Sequence, residues 1–199
     1  MIRRNAADKG GCGMHLLAHL QTIHRHRVLV RKSCFRIGLY WQGLTHDLSK
    51  YSPAEFLPGI KYYQGTRSPN DAQRTAEGYS SSWLHHKGRN RHHFEYWTDY
   101  SSVPGQGVVG VEMPLKYVAE MFCDRLAACK VYHPNDFDLS DPYHYFQRSR
   151  HLAQFHVNTA NLLESWLLIL KDEGEDAAYA HIRRQLQEAR TTGKESYDH

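Results

Sequence analysis

The chain has 199 residues, of which 41% are hydrophobic and 23% are charged, a composition typical of one globular domain that excludes a disordered or collagen-like chain. Its formal net charge of +4 suits a protein that binds small phosphate-bearing molecules, and it falls short of a dedicated nucleic-acid binder. The fifteen histidines are the outlier, because histidine is the commonest metal ligand and a carrier of protons near neutral pH.

Cellular location is indicated by the cysteines and the apolar runs. None of the four cysteines forms a Cys-x-x-Cys pair, which favours a reducing cytoplasm. The longest apolar run, Leu167 to Leu170, is far too short to span a bilayer. We therefore expect a cytoplasmic protein without a membrane partner.

The first third of the chain is predicted to be helical after a short head. Residues 1–13 are polar and glycine-rich, and we expect a disordered segment there. From His15 to about Ile37, apolar side chains recur at three- and four-residue steps, which predicts an amphipathic helix that ends at a glycine. Two more helices are predicted over about 42–50 and 53–63, the second begun by a Ser-Pro pair.

The middle of the chain carries weaker signals. Residues 64–80 are rich in turn formers and charges, and they predict a long loop with at most one helical turn. Short helical pieces are predicted over 80–86 and 91–97. The following loop, 101–114, has the Gly, Val and Pro content of a brief hairpin.

Strong helical patterns return in the last part. Pro114 opens a helix that stops before His133-Pro134, and further helices are predicted over about 142–171, with one break, and 175–190. No internal repeat is present, so the sequence predicts one all-α domain. This domain covers 14–190, and the remaining residues, 191–199, are predicted to be a frayed tail.

The segment THDLSKYSPAEF places a histidine, His46, directly before an aspartate, Asp47, with Lys50 one helical turn further on. Adjacent side chains on a helix point about 100° apart, so the two can share a metal ion only if other elements complete its coordination. The alternative is a capping aspartate beside a surface histidine. The pair therefore needs support from elsewhere in the chain.

Three other features supply that support. His26 lies 12 residues before the turn at Gly38 and His46 lies 8 residues after it, so an antiparallel hairpin would bring the two imidazoles together. Asp124 lies in the middle of a helix beside an apolar stripe, where a carboxylate needs a partner. The segment WLHHKGRNRHHFEYW adds two histidine pairs, which are His85, His86, His92 and His93.

In this order, His, His-Asp, further His and then Asp, the chain resembles the HD-domain superfamily of metal-dependent phosphohydrolases. HDLSK is similar to the superfamily's His-Asp-x-x-Lys motif, and CDRLAA to its closing aspartate motif. The resemblance covers about residues 15–132, so further C-terminal helices lie outside an HD-like bundle. It is closest to a group of short HD-like proteins without a known reaction. It implies metal ligands from the set His26, His46, Asp47 and Asp124.

Some assignments stay open at this point. The first histidine ligand is ranked His26, then His19, then His24, since His19 shares the helix face of His26 two turns away and His24 points elsewhere. The histidine cluster at 85–93 binds either a second metal ion or the substrate. Two nearby acids, Glu55 and Glu95, are candidates for orienting a ligating imidazole, or are ordinary surface residues.

The expected activity is hydrolysis of a nucleotide or another small phosphate ester by a metal-activated water, with Asp47 and Lys50 as the catalytic residues. Imidazole and carboxylate ligands suit Mn²⁺, Fe²⁺, Co²⁺, Ni²⁺ or Zn²⁺, as one or two ions. Further phosphate contacts are expected from basic residues of the surrounding segments, which are Lys61, Arg67, Lys87, Arg89 and Arg91.

Two other functions fit the same residues. A di-iron HD-type oxygenase acting on a small polyol or phosphonate would use the four extra histidines as ligands. A non-catalytic module that keeps the HD-like scaffold would use the basic, histidine-rich surface to hold a nucleotide or a nucleic-acid end, with or without a metal ion. A homodimer through the C-terminal helices is also expected.

Overall fold

The computed structural model describes residues 9–150 and 154–193. This part of the chain forms nine α-helices and one small antiparallel sheet of two strands, which confirms the predicted all-α fold. The helices are α1 (Lys9–Arg36), α2 (Tyr40–Thr45), α3 (Pro53–Lys61), α4 (Pro69–Glu77), α5 (Ser81–Lys87), α6 (Leu115–Tyr132), α7 (Asp141–Arg150), α8 (Val157–Glu173) and α9 (Glu175–Thr191). Two 3₁₀ turns cover Leu48–Tyr51 and Phe94–Tyr96. The strands are β1 (Thr98–Tyr100) and β2 (Val108–Gly110).

The hydrophobic core surrounds α6. Val118, Phe122 and Leu126 follow one another at four-residue steps along this helix, and all three are completely buried. They pack against the apolar faces of α1, α8 and α9, with Trp166 of α8 and Ile182 of α9 among their core neighbours. The core therefore joins the long first helix to the C-terminal half of the chain.

The layer made by α2 to α5 has a different interior. Among the described residues from 40 to 112, Ala72 is the only hydrophobic side chain that is buried. Polar groups fill the space instead; for example, the Ser80 hydroxyl caps α5 at the Trp83 amide and donates to the Gln73 amide oxygen at 2.8 Å. Because α3 packs on α1, α4 and α5, this layer rests on the core through α1.

The structure corrects three predicted elements. The helix predicted over 42–50 ends at Thr45, and a 3₁₀ turn follows after a break. The predicted loop over 64–80 contains the two-turn helix α4, which a serine caps, a proline begins and a left-handed glycine, Gly78, ends. Only one 3₁₀ turn forms within 91–97. The brief hairpin near 101–114 is present as β1 and β2.

The ends of the chain and its C-terminal helices complete the fold. Helix α1 begins at Lys9, within the predicted head, while residues 1–8 and 194–199 lie outside the described residues. The apolar faces of α8 and α9 are buried in the core of the same chain, and the expected dimer through these helices stays a prediction. In the part that the structure describes, no helix has the length and apolar content to cross a membrane.

Candidate metal centre

Asp47 lies at the centre of the candidate site. Helix α2 ends at Thr45, and Asp47 then adopts a left-handed backbone with φ of 54°, the only described residue other than glycine with a positive φ. Aspartate tolerates this conformation better than most side chains. The reversal turns its carboxylate inward, where the residue is 1% exposed and its two oxygens face different histidines.

One group of ligand atoms surrounds Asp47 Oδ2, and we call it the first half-site. His26 Nε2 lies 3.6 Å and His46 Nε2 lies 3.4 Å from this oxygen. Asp124 Oδ1 completes the group, at 3.0 Å from His26 Nε2 and 3.5 Å from His46 Nε2. The turn at Gly38 therefore brings the imidazoles of His26 and His46 together, as their spacing about this glycine predicts, with 3.4 Å between their Nε2 atoms.

A second group surrounds Asp47 Oδ1, and we call it the second half-site. His86 Nε2 lies 3.3 Å and His92 Nε2 lies 3.5 Å from this oxygen. His93 belongs to the same group, within 4.8 Å of the other ligand atoms. The rings of His92 and His93 lie 4.1 Å apart between centroids. The two halves thus share Asp47.

These separations are those of metal ligands. With metal–ligand bonds of about 2.1 Å, neighbouring donor atoms lie about 3.0 Å apart in an octahedral site and about 3.4 Å apart in a tetrahedral one. Buried atoms of Asp47 (Oδ1), His92 (Nε2) and His93 (Nε2) have no hydrogen-bond partner among the described residues. Since such groups are costly to bury alone, the donor set fits bound cations.

Carboxylates behind the imidazoles fix their orientation. Glu120, one helical turn before Asp124 on α6, accepts a hydrogen bond through Oε1 from His46 Nδ1 at 2.8 Å, and the same oxygen lies 3.2 Å from His92 Nδ1. Glu55 of α3 accepts one from His86 Nδ1 at 2.7 Å. A proton held on Nδ1 leaves the Nε2 lone pair free for a metal ion. Glu55 was among the predicted orienting acids, whereas sequence reasoning missed Glu120.

The charges of the centre are strongly coupled. Burial opposes ionisation of Asp47 and of Asp124, but the neighbouring imidazoles outweigh it and hold the pKa of both carboxyls well below the usual range. Burial likewise opposes protonation of His46, yet the Asp47 charge and three carboxylate hydrogen bonds raise its pKa well above the ordinary value. In the metal-free protein, a proton on the His46 imidazole therefore compensates part of the buried negative charge.

Lys50 and Asp124 mark the opening of the centre. Lys50 lies on the 3₁₀ turn after Asp47, and its Nζ forms an ion pair with Asp47 Oδ2 at 2.6 Å. Burial opposes its charge, but the Asp47 and Asp124 carboxylates raise its pKa above the ordinary value. The Lys50 side chain is 29% exposed and that of Asp124 16%, whereas the side chain of His26 is 8% exposed. Solvent therefore reaches the centre at these two residues.

Not every candidate histidine lies in the centre. His19 is two helical turns, or about 10.5 Å, from His26 along α1, and it packs beside Gly59 of α3 instead. His24 is exposed on the outer face of α1. His85 belongs to neither half-site, and its Nδ1 donates to Glu55 at 2.7 Å. Of the three candidates for the first histidine ligand, the structure therefore places His26 beside Asp47.

The predicted phosphate-binding residues are spread over the surface. Lys61 is 66% exposed and pairs with Glu77, and Arg67 donates to the Gln64 side chain. Arg91 donates to the Tyr117 hydroxyl at 3.2 Å. Arg89 is exposed, with a weak bond to a backbone carbonyl at 3.4 Å, and Lys87 is half-buried near Glu95. None of these five cations contacts the described ligand atoms of either half-site, in contrast to Lys50.

Comparison with known proteins gives a family without an activity. A model described as a family of unknown function, DUF5662, matches residues 15–169, which is more than half of the chain and includes every residue of both half-sites. The chain therefore belongs to this family. No curated protein and no solved structure matches it.

Proposed function

We propose that this DUF5662 protein is a metal-dependent hydrolase of small phosphate esters that works with two divalent cations, one in each half-site. The observation that carries the proposal is Asp47, whose two buried oxygens face separate sets of histidines at ligand spacing. A carboxylate placed in this way is suited to bridge two ions. The order of the ligands along the chain, which resembles the HD-domain superfamily, supports the same proposal.

Charge balance also supports two ions. The centre contains four carboxyl groups, those of Asp47, Glu55, Glu120 and Asp124. Neighbouring imidazoles lower the pKa of each of them, so all four are ionised at neutral pH. Two divalent cations would match these four negative charges. Lys50 adds one positive charge at the edge, so the loaded centre would carry a net positive charge that attracts an anionic substrate.

The residues at the opening suit a phosphate group. A phosphoryl oxygen that entered beside Asp124 would meet the Lys50 ammonium, which stays charged throughout the neutral range and can donate three hydrogen bonds. Bound cations would supply Lewis-acid polarisation of the phosphoryl group and a water of lowered pKa. Asp47 holds Lys50 in place at 2.6 Å, so the donor is positioned before the substrate arrives.

Elemental analysis with a phosphate-release screen tests this function. Purified wild-type protein is expected to hold two transition-metal ions per chain, and Asp47→Asn to lose both. Released phosphate is then measured with nucleoside phosphates and sugar phosphates, in the absence of oxygen and with Mn²⁺, Co²⁺ or Zn²⁺ restored. No bound metal after reconstitution, or Asp47→Asn with full metal content, would refute the metal centre. A fully loaded protein without phosphate release would refute the hydrolase.

A di-iron oxygenase is the second candidate, because the second half-site is rich in nitrogen. His86, His92 and His93 converge there on a single oxygen of Asp47. Imidazole and carboxylate ligands of this kind also suit iron. Two tightly bound irons and oxygen uptake with a polyol or phosphonate would favour this candidate, whereas turnover of phosphate esters without oxygen would exclude it.

A further inference from the structure

Apart from Asp47 itself, Glu120 is the only described acid that lies within 3.5 Å of a histidine of each half-site. Its Oε1 accepts a hydrogen bond from His46 Nδ1 at 2.8 Å and lies 3.2 Å from His92 Nδ1. The opposite nitrogens of the two rings face different oxygens of Asp47: His46 Nε2 lies 3.4 Å from Oδ2, and His92 Nε2 lies 3.5 Å from Oδ1. One oxygen atom therefore orients two imidazoles that belong to different half-sites.

The geometry identifies Glu120 as a hydrogen-bond acceptor and not as a further ligand. The separation of 2.8 Å from His46 Nδ1 is a normal hydrogen-bond length, whereas two ligands of one ion lie about 3.0 Å apart or more. The Nδ1 and Nε2 atoms of an imidazole diverge across the ring. An ion bound at Nε2 is therefore on the other side of each histidine from Glu120.

Burial makes this interaction rigid. Glu120 is 6% exposed, His46 and His92 are each 2% exposed, and their rings lie 4.4 Å apart between centroids. Neither ring can turn to another acceptor without leaving a buried polar group unpaired. Helix α6 fixes Glu120 further, since the same helix carries the ligand Asp124 one turn later.

We infer that Glu120 is a positioning residue that acts on both ions of the centre, so that its replacement weakens binding in the two half-sites together. This inference rests on the metal centre proposed above. Glu120 holds His46 and His92 through the same oxygen, so an ordered His46 in the first half-site would keep Glu120 where it orients His92 in the second. Its negative charge would also stabilise cations bound at either imidazole.

Glu55 provides a matched control within the same protein. It is equally buried at 6% exposed and also accepts a hydrogen bond from a ligand imidazole, His86 Nδ1, at 2.7 Å. Its other oxygen bonds His85, which lies outside the ligand groups. Replacement of Glu55 is therefore expected to weaken the second half-site alone.

The experiment titrates metal-free wild type, Glu120→Gln and Glu55→Gln with Co²⁺, using calorimetry and equilibrium dialysis to obtain the number of ions and both dissociation constants. Asp124→Asn and His86→Ala identify which constant belongs to which half-site. Loss of an orienting carboxylate typically weakens metal binding by about 10–100-fold. We expect the dissociation constants of both ions to rise by this factor in Glu120→Gln, and that of one ion in Glu55→Gln.

Spectroscopy adds a measurement that general destabilisation would not reproduce. In ¹⁵N–¹H spectra, the Nδ1–H resonances of His46 and His92 are expected to shift together in Glu120→Gln, and that of His86 alone in Glu55→Gln. Glu120→Asp, which keeps the charge but withdraws the oxygen by one methylene, is the second variant if Glu120→Gln does not fold. It is expected to weaken both ions as well.

The outcomes separate the two proposals. If Glu120→Gln or Glu120→Asp weakens one ion, or neither, while wild type binds two, the coupling through Glu120 is refuted and the metal centre stands. If wild type binds no ions, the proposed function itself fails. Equal effects of the Glu120 and Glu55 variants on both ions would refute the assignment of a shared oxygen to Glu120.

Discussion

Substitution of Gly59 by alanine tests where the structure places His19. Gly59 lies on α3, and a Cβ added there would lie 2.7 Å from His19 Cε1 and closer still to Nε2. His19 is 7% exposed, and its ring already contacts Phe56 and Tyr63, with centroids 5.5 and 5.7 Å away. The ring cannot move aside without displacing these neighbours, so the variant is overpacked.

The expected cost of Gly59→Ala follows from the size of this overlap. Overpacking by one methyl group in a tight site costs about 2 kcal/mol, which lowers the Tm of a domain of this size by roughly 4–8 °C. Urea denaturation followed by circular dichroism measures the free energy of unfolding. Gly13→Ala is the control, because a Cβ at this α1 position has nothing within 4 Å and is expected to be neutral or stabilising by about 0.5–1 kcal/mol.

A double-mutant cycle decides whether His19 is the cause. His19→Ala makes room for the new methyl group, so Gly59→Ala is expected to cost almost nothing further in that background. Metal content should stay at the wild-type level in all three variants, since His19 is not a ligand in this arrangement. Full additivity of the two substitutions, or loss of an ion in His19→Ala, would refute the placement of His19 against α3.

Three further predictions follow from contacts described above. Lys50→Ala should keep both ions and reduce the rate of phosphate release about 10²-fold, because a positioned donor is lost; unchanged kcat would remove Lys50 from the mechanism. Gly110→Ala should lower the free energy of unfolding, measured in urea, by about 2–3 kcal/mol. The added Cβ would lie 2.6 Å from the His156 amide nitrogen and 2.8 Å from the Phe155 carbonyl carbon, and these backbone atoms cannot move aside. An unchanged midpoint of urea denaturation would contradict this packing. Burial and the Lys50 charge lower the pKa of His19 from 6.5 to about 4, so His19 is protonated in the unfolded chain at a higher pH than in the folded protein. As the pH falls from 6.5 to 4, wild type should therefore lose stability relative to His19→Phe, which urea denaturation at each pH would measure. The difference should change by no more than about 1 kcal/mol per pH unit because the ring is partly solvated, and should be constant above pH 6.5.

Much of the first half-site could be predicted because it depends on local pattern and one turn. The helical period of α1 and the glycine at position 38 were sufficient to place His26 opposite His46. The sequence also predicts a partner for the Asp124 carboxylate, because a charge in an apolar helical context needs one. The same reasoning applies to Glu120, which lies four residues earlier on the same helix face, although the predicted site did not include it.

Other features depend on tertiary structure and had no local signal. The left-handed backbone of Asp47 interrupts what reads as a continuous helical segment, and only the surrounding ligands explain it. Helix α4 is different, since Ser68-Pro69 repeats the Ser-Pro start that was correctly read at α3. Its polar composition concealed it, because the layer it joins has almost no hydrophobic interior.

Because α2 to α5 bury almost no hydrophobic side chain, cations bound at the candidate centre would determine the local stability of this layer. In most domains an apolar interior resists local opening, but here the space between α1 and α5 is occupied by the candidate ligand histidines and carboxylates. Without cations, this region is expected to open as a separate cooperative unit while α6 to α9 stay closed around Phe122. Hydrogen–deuterium exchange would then accelerate on chelation in residues 52–97 and not in α8, so occupancy of the centre could be read from amide protection alone.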